Sequence, residues 1–257
     1  MKAKGIEVVT ALKNLEALGI GIFELDNFDF LNKINPNLKK LFLHQTRSKK
    51  PGIDVIERFT LLEELYLEAQ SKGIDVINNL KKLQKITLRS ISTDNINFLG
   101  GLDQLWSVDI KLGGIKDFSA LKSLQNLKYL ELWQIRNLKD ISFISDLISL
   151  QNLFIQSLTN VEEVPNLDKL LKLRRMYFEN MKGLKKLDPL RSAPSLCEFI
   201  YIMAQNQEPE NLLPVLENKN VKSVSCWFGS EKKNNRFKEL AEKFGKNEYE
   251  YNTFLYQ

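Results

Sequence analysis

The stretch IKDFSALKSLQNLKYLEL, residues 115–132, contains the two patterns that decide the fold. From Ile115 to Leu127 every third residue is apolar, and Leu127, Leu130 and Leu132 then form a triplet of the form L-x-x-L-x-L. The last two triplet residues are separated by one, so their side chains lie on the same face of an extended strand. A strict step of three suits a 3₁₀ turn or a polyproline-like segment, in which residues three apart overlie one another. The stretch therefore predicts a tight return segment followed by a short β-strand.

The same two patterns recur along most of the chain. Ten copies of the triplet stand 21–25 residues apart, and repetition at this period predicts a solenoid. The copies are Leu15/Leu18/Ile20, Leu38/Leu41/Leu43, Leu62/Leu65/Leu67, Leu83/Ile86/Leu88, Leu105/Val108/Ile110, Leu127/Leu130/Leu132, Leu150/Leu153/Ile155, Leu173/Met176/Phe178, Leu196/Phe199/Tyr201 and Val221/Val224/Cys226. Each repeat buries its apolar residues against its neighbours, so successive strands must lie parallel and adjacent. Because strands pack about 4.8 Å apart and the return segments need more room, we expect the stack to curve with the strands on the concave side.

The regular frame of residues 83–127, and above all residues 115–127 and 138–147, resembles the leucine-rich repeat family. The resemblance is closest to the 22-residue internalin and phosphatase-regulator-like subclass and covers about nine tenths of the chain. It implies an α/β solenoid, a curved stack of about ten repeats with a parallel concave β-sheet, 3₁₀ or irregular convex segments and a C-terminal helical cap. The family serves many binding roles, so the resemblance does not select one function.

One family feature is missing from the turns after the strands. Three residues after each triplet the family usually has asparagine, whose side chain bonds the backbone of the turn. Here the position holds Thr46, Gln70, Ile91, Gly113, Ile135, Leu158, Met181, Ala204 and Gly229. Because buried backbone groups still need partners, we expect these turns to be hydrogen-bonded in another way.

The pattern also predicts how the array ends. We assign residues 1–229 to the repeats and residues 230–257 to a C-terminal cap within the same domain. Ser230 can cap a helix over residues 231–244, and alternating aromatic residues predict a strand over residues 248–254. At the other end, residues 8–17 form a helical cover, or the first repeat is open to a partner.

Composition narrows the class of protein. The net charge is +5, with 43% hydrophobic and 27% charged residues, as in ordinary soluble proteins. We expect no membrane span, because no run approaches the roughly 18 apolar residues that a span needs. We also expect no signal peptide, since Glu7 interrupts the basic start, and hence a cytoplasmic protein, or a secreted one if a leader was removed. Cys197 and Cys226 are too few for a disulfide framework.

The sequence offers no constellation for catalysis. His44 is the sole histidine and has no matching serine or cysteine arrangement nearby in the pattern. There is no glycine-rich phosphate loop and no His/Cys spacing typical of a metal site. We therefore predict no catalytic residue, no metal site, no cofactor and no enzymatic activity.

Large rings stand at strand positions that core packing does not require. The residue between the two inward side chains of each strand faces the other way, as do the residues before and after the pair. Candidate partner-binding residues at these positions are Phe42, Glu64, Tyr66, Tyr129, Glu131, Trp133, Phe154, Arg175 and Tyr177. Exposed rings flanked by charges are typical of protein interfaces. The alternative is that aromatic residues favour strands and stack on cross-strand neighbours.

The last strands carry an additional apolar patch on that face, around Ile200, Ile202 and Trp227. Either the segment from Glu248 onward covers the patch, or the patch is a docking site. We favour coverage, because the aromatic residues of that segment need a surface on which to pack.

Three functions are compatible with these residues. The first is a monomeric, non-enzymatic scaffold that binds a protein partner through the concave face. The second is a regulatory inhibitor or immunity-type protein that blocks an enzyme; its acidic residues would meet a basic target, and they are Glu64, Glu68, Glu131 and Glu179. The third is nucleic-acid binding through Lys39, Lys40, Lys128, Arg174 and Arg175. We do not expect the third, since the lysine pairs are scattered and acidic residues stand close to most of them.

Overall fold

The computed structural model describes residues 5–48 and 51–257; residues 1–4 and 49–50 of the predicted repeat region lie outside the described residues. The chain forms two compact units, residues 1–126 and residues 127–257, which we call unit 1 and unit 2. Each unit alternates short β-strands with short helical segments, as the two sequence patterns predict.

Unit 1 contains parallel strands, each paired with the next strand in the sequence. The strands are β1 (Ala17–Ile20), β2 (Lys40–Leu43), β3 (Glu64–Glu68), β4 (Lys85–Arg89) and β5 (Ser107–Lys111). The 3₁₀ helices between or beside them are Ile6–Ala11, Asp29–Lys33, Asp54–Arg58, Ile74–Asn79, Asn97–Leu99 and Ser119–Ser123. The pairing has no register slip, so Lys40 lies beside Glu64 and Glu64 beside Lys85.

Unit 2 follows the same plan and ends in the predicted helical cap. Its strands are β6 (Tyr129–Trp133), β7 (Asn152–Gln156), β8 (Arg175–Glu179), β9 (Glu198–Ile202), β10 (Ser223–Cys226) and β11 (Asn247–Glu248), and neighbouring strands again pair in parallel. Its 3₁₀ helices are Ser142–Asp146, Asp188–Arg191 and Pro209–Leu212, and its α-helices are α1 (Leu213–Glu217) and α2 (Glu231–Lys243).

The step of three in the sequence corresponds to successive backbone hydrogen bonds, each of which joins residues three apart. Ile56 donates its backbone N–H to Ile53, Phe59 donates to Ile56, and Leu62 donates to Phe59, over 2.9–3.0 Å. All four side chains are buried. The apolar stripe and the 3₁₀ bonding therefore involve the same residues, and the prediction of tight return segments is confirmed.

The strand halves of the repeats bury one face and leave the other accessible. In β4, Ile86 and Leu88 are buried, while Lys85, Thr87 and Arg89 are half-buried or exposed. This alternation follows from the two-residue period of a strand. It separates the buried structural residues from the residues of the accessible face.

The turns after the strands are bonded largely through the backbone, and in the turn after β8 the side chain of Asn206 also donates to the carbonyls of Met181 and Leu184. In the described part of the chain, the second residue after the triplet has a left-handed backbone at seven equivalent positions: Ala69, Ser90, Leu112, Gln134, Ser157, Asn180 and Met203. Ser90 and Gln134 show the bonding, because each donates its N–H to a carbonyl of the next repeat, Lys111 at 2.7 Å and Gln156 at 2.8 Å. A left-handed residue other than glycine costs about 1–2 kcal/mol, so these inter-repeat bonds hold the turn in a conformation it would otherwise avoid.

The two ends differ in part from the prediction. Helix α2 ends at Lys243 and buries Phe237, Leu240 and Ala241 in a single stripe. The predicted strand over residues 248–254 is shorter, since β11 contains only Asn247–Glu248. Beyond β11 the segment instead places the rings of Tyr249, Phe254 and Tyr256 against residues of the unit 2 strands and the turns before them. At the start of the chain, residues 6–11 form a 3₁₀ helix that buries none of its side chains.

Among residues 5–48 and 51–257, no helix combines the length and apolar character that crossing a membrane requires.

Candidate partner-binding surface

The candidate surface consists of the strand side chains that point away from the buried leucines. We call these residues of β1–β5 the unit 1 face and those of β6–β11 the unit 2 face. Because each strand pairs in register with the next, equivalent positions form columns: Phe42 lies beside Tyr66, and Tyr66 beside Thr87. The fold therefore places the predicted rings in rows rather than scattering them over the surface.

The unit 1 face is organised around the carboxylate of Glu68. Tyr66 donates its hydroxyl to Oε2 over 3.3 Å, and Nδ1 of His44 lies 3.4 Å from the same oxygen. Arg89 donates from Nε to Oε1 over 3.2 Å, and the backbone N–H of Gln45 also donates to Oε2. The rings of His44 and Tyr66 lie 4.8 Å apart between centroids. Glu68 thus fixes the orientation of a part-exposed aromatic pair.

Burial and charge also affect the chemistry of that pair. Burial raises the pKa of Tyr66 above its usual value, and the negative charge of Glu68 adds to the shift, while Arg89 opposes it. The Tyr66 hydroxyl therefore stays neutral and donating over an extended pH range. Next to the pair, Lys40 lies 3.2 Å from Glu64 in an ion pair across β2 and β3.

The unit 2 face carries rings that are held by their neighbours. Tyr129 donates its hydroxyl to Oε2 of Glu131 over 2.9 Å, and Glu131 is buried. Phe154 and Tyr177 stand edge to face on adjacent strands, with ring centroids 4.7 Å apart. Trp133, at the end of β6, is half-buried. Such rings have little freedom to lose when they bind a partner, which favours binding.

Residues 249–257, which we call the tail, lie across the starts of the strands of unit 2. Arg175 donates from both terminal nitrogens to Asn252, at 2.8 Å to the side-chain oxygen and at 3.4 Å to the backbone carbonyl. Nε of the same guanidinium donates to Glu198 over 2.6 Å. Burial raises the pKa of Tyr177, and the nearby Tyr251 adds to the shift, so the tail reaches the ring row. The tail therefore lies on the strand starts, whereas Trp227 of the predicted apolar patch is 47% exposed, and coverage of that patch by the tail stays a prediction.

Phe254 is held between two cationic groups. The guanidinium carbon of Arg174 lies 4.6 Å from the centre of the Phe254 ring, and that of Arg175 lies 4.9 Å from it. Arg174 also donates to the backbone carbonyl of Leu255. Each such cation–ring contact contributes about 0.5–2 kcal/mol, depending on how far it is removed from water.

Beyond Phe254 the unit 2 face binds the tail mainly through hydrogen bonds to the tail's backbone. Gln151 donates from Nε2 to the carbonyl of Gln257 over 2.7 Å and accepts from the N–H of Gln257 over 2.9 Å. The Tyr256 hydroxyl accepts a hydrogen bond from Nδ2 of Asn152 over 3.3 Å. The Tyr256 ring stands edge-on to the Tyr129 ring, with the centroids 6.5 Å apart. The buried amide of Gln151 thus pairs with an extended backbone much as a neighbouring strand would.

The predicted site residues fall into two groups. Phe42, Glu64 and Tyr66 belong to the unit 1 face, and the remaining six belong to the unit 2 face. Of the six, the tail contacts Tyr129, Tyr177 and Arg175. Three further residues that the sequence analysis did not propose as protein-contact residues take part: Gln151, Asn152 and Arg174. Gln151 stands one position before its strand, outside the alternation that was used to select candidates, and Asn152 is small and polar rather than aromatic.

Most of the charged side chains that the alternative hypotheses require are already partnered in the structure. Of the basic residues proposed for nucleic acid, Lys39 pairs with Glu16 at 3.1 Å, and Lys40 and Arg175 pair with glutamates as described above. Of the acidic residues proposed for a basic target, Glu179 accepts from Gln156 over 2.9 Å. Both sets therefore present a mixed surface rather than a field of one sign.

The described residues give no sign of a metal or thiol site. No group of three or more His, Cys, Asp and Glu side chains in this part of the chain has a geometry that could hold a metal ion. Cys197 and Cys226 are free thiols, and burial raises the pKa of Cys226 well above its usual value. A thiol of that kind is a poor nucleophile.

No family model and no curated protein sequence matches the chain. Solved structures do match it. An internalin (InlF) from Listeria monocytogenes is similar with a TM-score of 0.56 and 17% identity, over 99% of this chain and 85% of that one. The leucine-rich repeat domain of the type III effector XopL is similar with a TM-score of 0.57 and 17% identity, over 78% of this chain and 72% of that one. Together with the parallel strands, the 3₁₀ return segments and the helical cap, these similarities show that the chain has the leucine-rich-repeat solenoid fold.

Proposed function

We propose that the protein is a non-enzymatic recognition scaffold that binds a protein partner through its strand faces, on the side that the sequence predicts to be concave. The observation that carries the proposal is the rows of part-exposed rings, each held in place by a neighbour. Tyr66 is fixed by Glu68, Tyr129 by Glu131, and Phe154 by Tyr177. Rigid aromatic side chains at the centre of a surface are the residue type that dominates binding energy in protein interfaces.

The mixed charges around the rings support a protein partner over a polyanion. Lys40, Glu64, Glu68 and Arg89 alternate in sign on the unit 1 face and pair with one another. A mixed surface orients a partner of complementary pattern and contributes to specificity and association rate. A nucleic-acid surface would instead present unpaired cations along the backbone path.

Variants on each face test the proposal separately. Tyr66→Ala and Trp133→Ala remove one ring from the unit 1 face and one from the unit 2 face. The partner would be captured by cross-linking to the unchanged chain, identified by mass spectrometry, purified, and its affinity measured by calorimetry. We expect each variant to weaken binding by at least about tenfold. These variants avoid Tyr177, whose contact with Tyr251 would mix partner binding with tail docking.

Matched controls remove apolar side chains elsewhere. Leu61 and Ile148 are exposed in the turns before β3 and β7, away from the strand faces. Leu61→Ala and Ile148→Ala should leave affinity within about twofold of the unchanged chain, as expected for residues outside an interface. If the ring variants bound as tightly as these controls, the strand faces would not be the binding surface.

The regulatory-inhibitor alternative requires acidic side chains that are available to a target enzyme. It requires Glu64, Glu68, Glu131 and Glu179 to meet a basic active site, but the structure gives each of them a partner within the chain. A captured enzyme would be assayed with the unchanged chain and, separately, with a Glu64→Gln chain. Loss of activity with the unchanged chain but not with the variant would favour that alternative.

A further inference from the structure

The tail shows what kind of ligand the unit 2 face accepts. Phe254 and Tyr256 both point at the strand starts, where Phe254 contacts Arg174 and Arg175 and Tyr256 contacts Asn152. Leu255 lies between them and is 75% exposed. This alternation is that of an extended strand, in which every second side chain faces the same way.

The face holds this segment by features that do not depend on most of its side chains. Gln151 and Arg174 bind backbone groups of Gln257 and Leu255, and Arg175 binds the backbone carbonyl of Asn252. Side-chain selection comes from the paired guanidinium groups, which clamp one ring, and from Asn152 and Tyr129, which receive a second ring two residues later. The spacing of the two rings is therefore the main feature that the face selects.

Beyond the buried side chain of Tyr249, the tail is held loosely enough to be displaced. No side chain from Glu250 to Gln257 is buried, and Tyr251 is 69% exposed. Its attachment consists of hydrogen bonds and cation–ring contacts, which contribute about 1 kcal/mol each in net terms. By contrast, the leucines beneath the face are completely buried. The repeats do not need the tail in order to bury their core.

We propose that the unit 2 face recognises an extended segment of its protein partner with aromatic residues two positions apart, and that the tail occupies this place until the partner displaces it. The inference rests on the proposed function, because it names the kind of partner segment that the face receives. It adds a regulation, since a ligand within the same chain competes at an effective concentration of about millimolar.

A labelled peptide tests the inference without knowledge of the partner. The probe is YEYNTFLYQ, the sequence of residues 249–257, with a fluorophore at its amino end. In the full chain carrying Phe254→Ser and Tyr256→Ser, the attachment of the tail to the unit 2 face is weakened, so the face is open to the probe. By fluorescence anisotropy we expect the probe to bind this variant at least about tenfold more tightly than the unchanged chain, because the intact tail competes.

Two controls isolate the ring spacing. The peptide YEYNTFYLQ has the same composition as the probe and the same first two tyrosines, but it places its last two rings side by side, so both of these cannot face the strands at once. It should bind at least about tenfold more weakly. A chain carrying Leu255→Ser changes an outward-facing tail residue and should bind the probe as the unchanged chain does. Equal affinity of the two peptides, equal affinity of the probe for the two chains, or no binding of the probe would each overturn the inference.

Two further measurements check that the variant is folded and that the unchanged chain is a monomer. Thermal unfolding of the Phe254→Ser, Tyr256→Ser chain should stay within a few degrees of the unchanged chain, since the variants leave the repeats intact. Sedimentation of the unchanged chain should show a monomer. A dimer that the variant loses would mean that the ligand is the tail of a second copy, which would overturn the assignment to another protein.

Failure of the inference and failure of the proposed function give different results. If the probe does not bind but Tyr66→Ala and Trp133→Ala still weaken partner binding, the scaffold function stands and the segment class is wrong. If the probe binds but those variants leave partner binding unchanged, the rings are not the partner-binding surface.

Discussion

Arg175 on β8 donates from Nε to a carboxylate oxygen of Glu198 on β9 over 2.6 Å, and both side chains are largely removed from solvent. The pair directs the guanidinium so that its remaining nitrogens reach Asn252 and its face reaches the rings of Tyr249 and Phe254. One cross-strand ion pair therefore links two repeats and the tail.

Arg175→Met removes the cation and keeps much of the side-chain volume. It leaves the part-buried carboxylate of Glu198 without its ion partner, so the free energy of unfolding should fall by about 2 kcal/mol. Urea unfolding followed by circular dichroism measures this. The control is Arg236→Met, whose pair with Glu210 is half exposed on both sides, so its loss should lower the free energy of unfolding much less. Equal losses in the two variants would contradict the role given to the buried pair.

Gln134 has a left-handed backbone with φ of 49°, while its side chain is exposed. Gln134→Gly removes the steric cost of that conformation and should raise the free energy of unfolding by about 0.5 kcal/mol, after allowing for the greater freedom of glycine in the unfolded chain. Gln134→Val places a β-branched residue there and should lower it by about 1 kcal/mol. Thermal and urea unfolding of both variants check the sign. If the valine variant were more stable than the glycine variant, the turn would have relaxed to another conformation.

Tyr177 links its own protonation to stability at high pH. Burial raises its pKa to about 12 in the folded protein, with a further contribution from Tyr251 and Glu179. Below the unfolded value of about 10, the hydroxyl is protonated in both states and the contribution of this group is fully present; as pH rises through 12 that contribution is lost. Urea midpoints between pH 9 and pH 12 should fall less steeply in Tyr177→Phe than in the unchanged chain. Parallel curves would contradict the assignment.

Glu68 should control the ionisation of Tyr66. Glu68→Gln removes a negative charge that adds to the raised pKa of Tyr66, so that pKa should move down towards its usual value. The measurement is the tyrosine absorbance change at alkaline pH, with Tyr66→Phe used to identify the signal. Glu63→Gln, at the residue before β3, serves as the matched control and should leave the Tyr66 signal where it is.

Most of the fold could be predicted because it depends on periodicity. The triplet Leu127, Leu130 and Leu132 is buried as predicted, and the step of three before it became the 3₁₀ helix Ser119–Ser123. The left-handed turns could not be predicted, since the residues there include leucine and methionine, which ordinarily avoid that conformation. They are stabilised by bonds to the next repeat, and a single repeat's sequence does not contain that partner.

The candidate surface was only partly predictable. Alternation selected Tyr129, Phe154 and Tyr177, because a strand exposes alternate residues whatever its neighbours are. It did not select Gln151, which precedes its strand, and it did not show that a strand over residues 248–254 would be replaced by a tail on the face. That choice depends on Arg174 and Arg175 receiving Phe254, a contact between positions about 80 residues apart that no local pattern encodes.

The in-register pairing of Lys40, Glu64 and Lys85 makes the length of the face modular. Loss or duplication of one whole repeat would shorten or lengthen the row by one strand, about 4.8 Å, and every remaining side chain would keep its side of the sheet. Loss of a single residue inside a strand would turn leucines outward and charges inward. Evolution and engineering can therefore resize this surface in whole repeats, while its chemistry is adjusted one exposed position at a time.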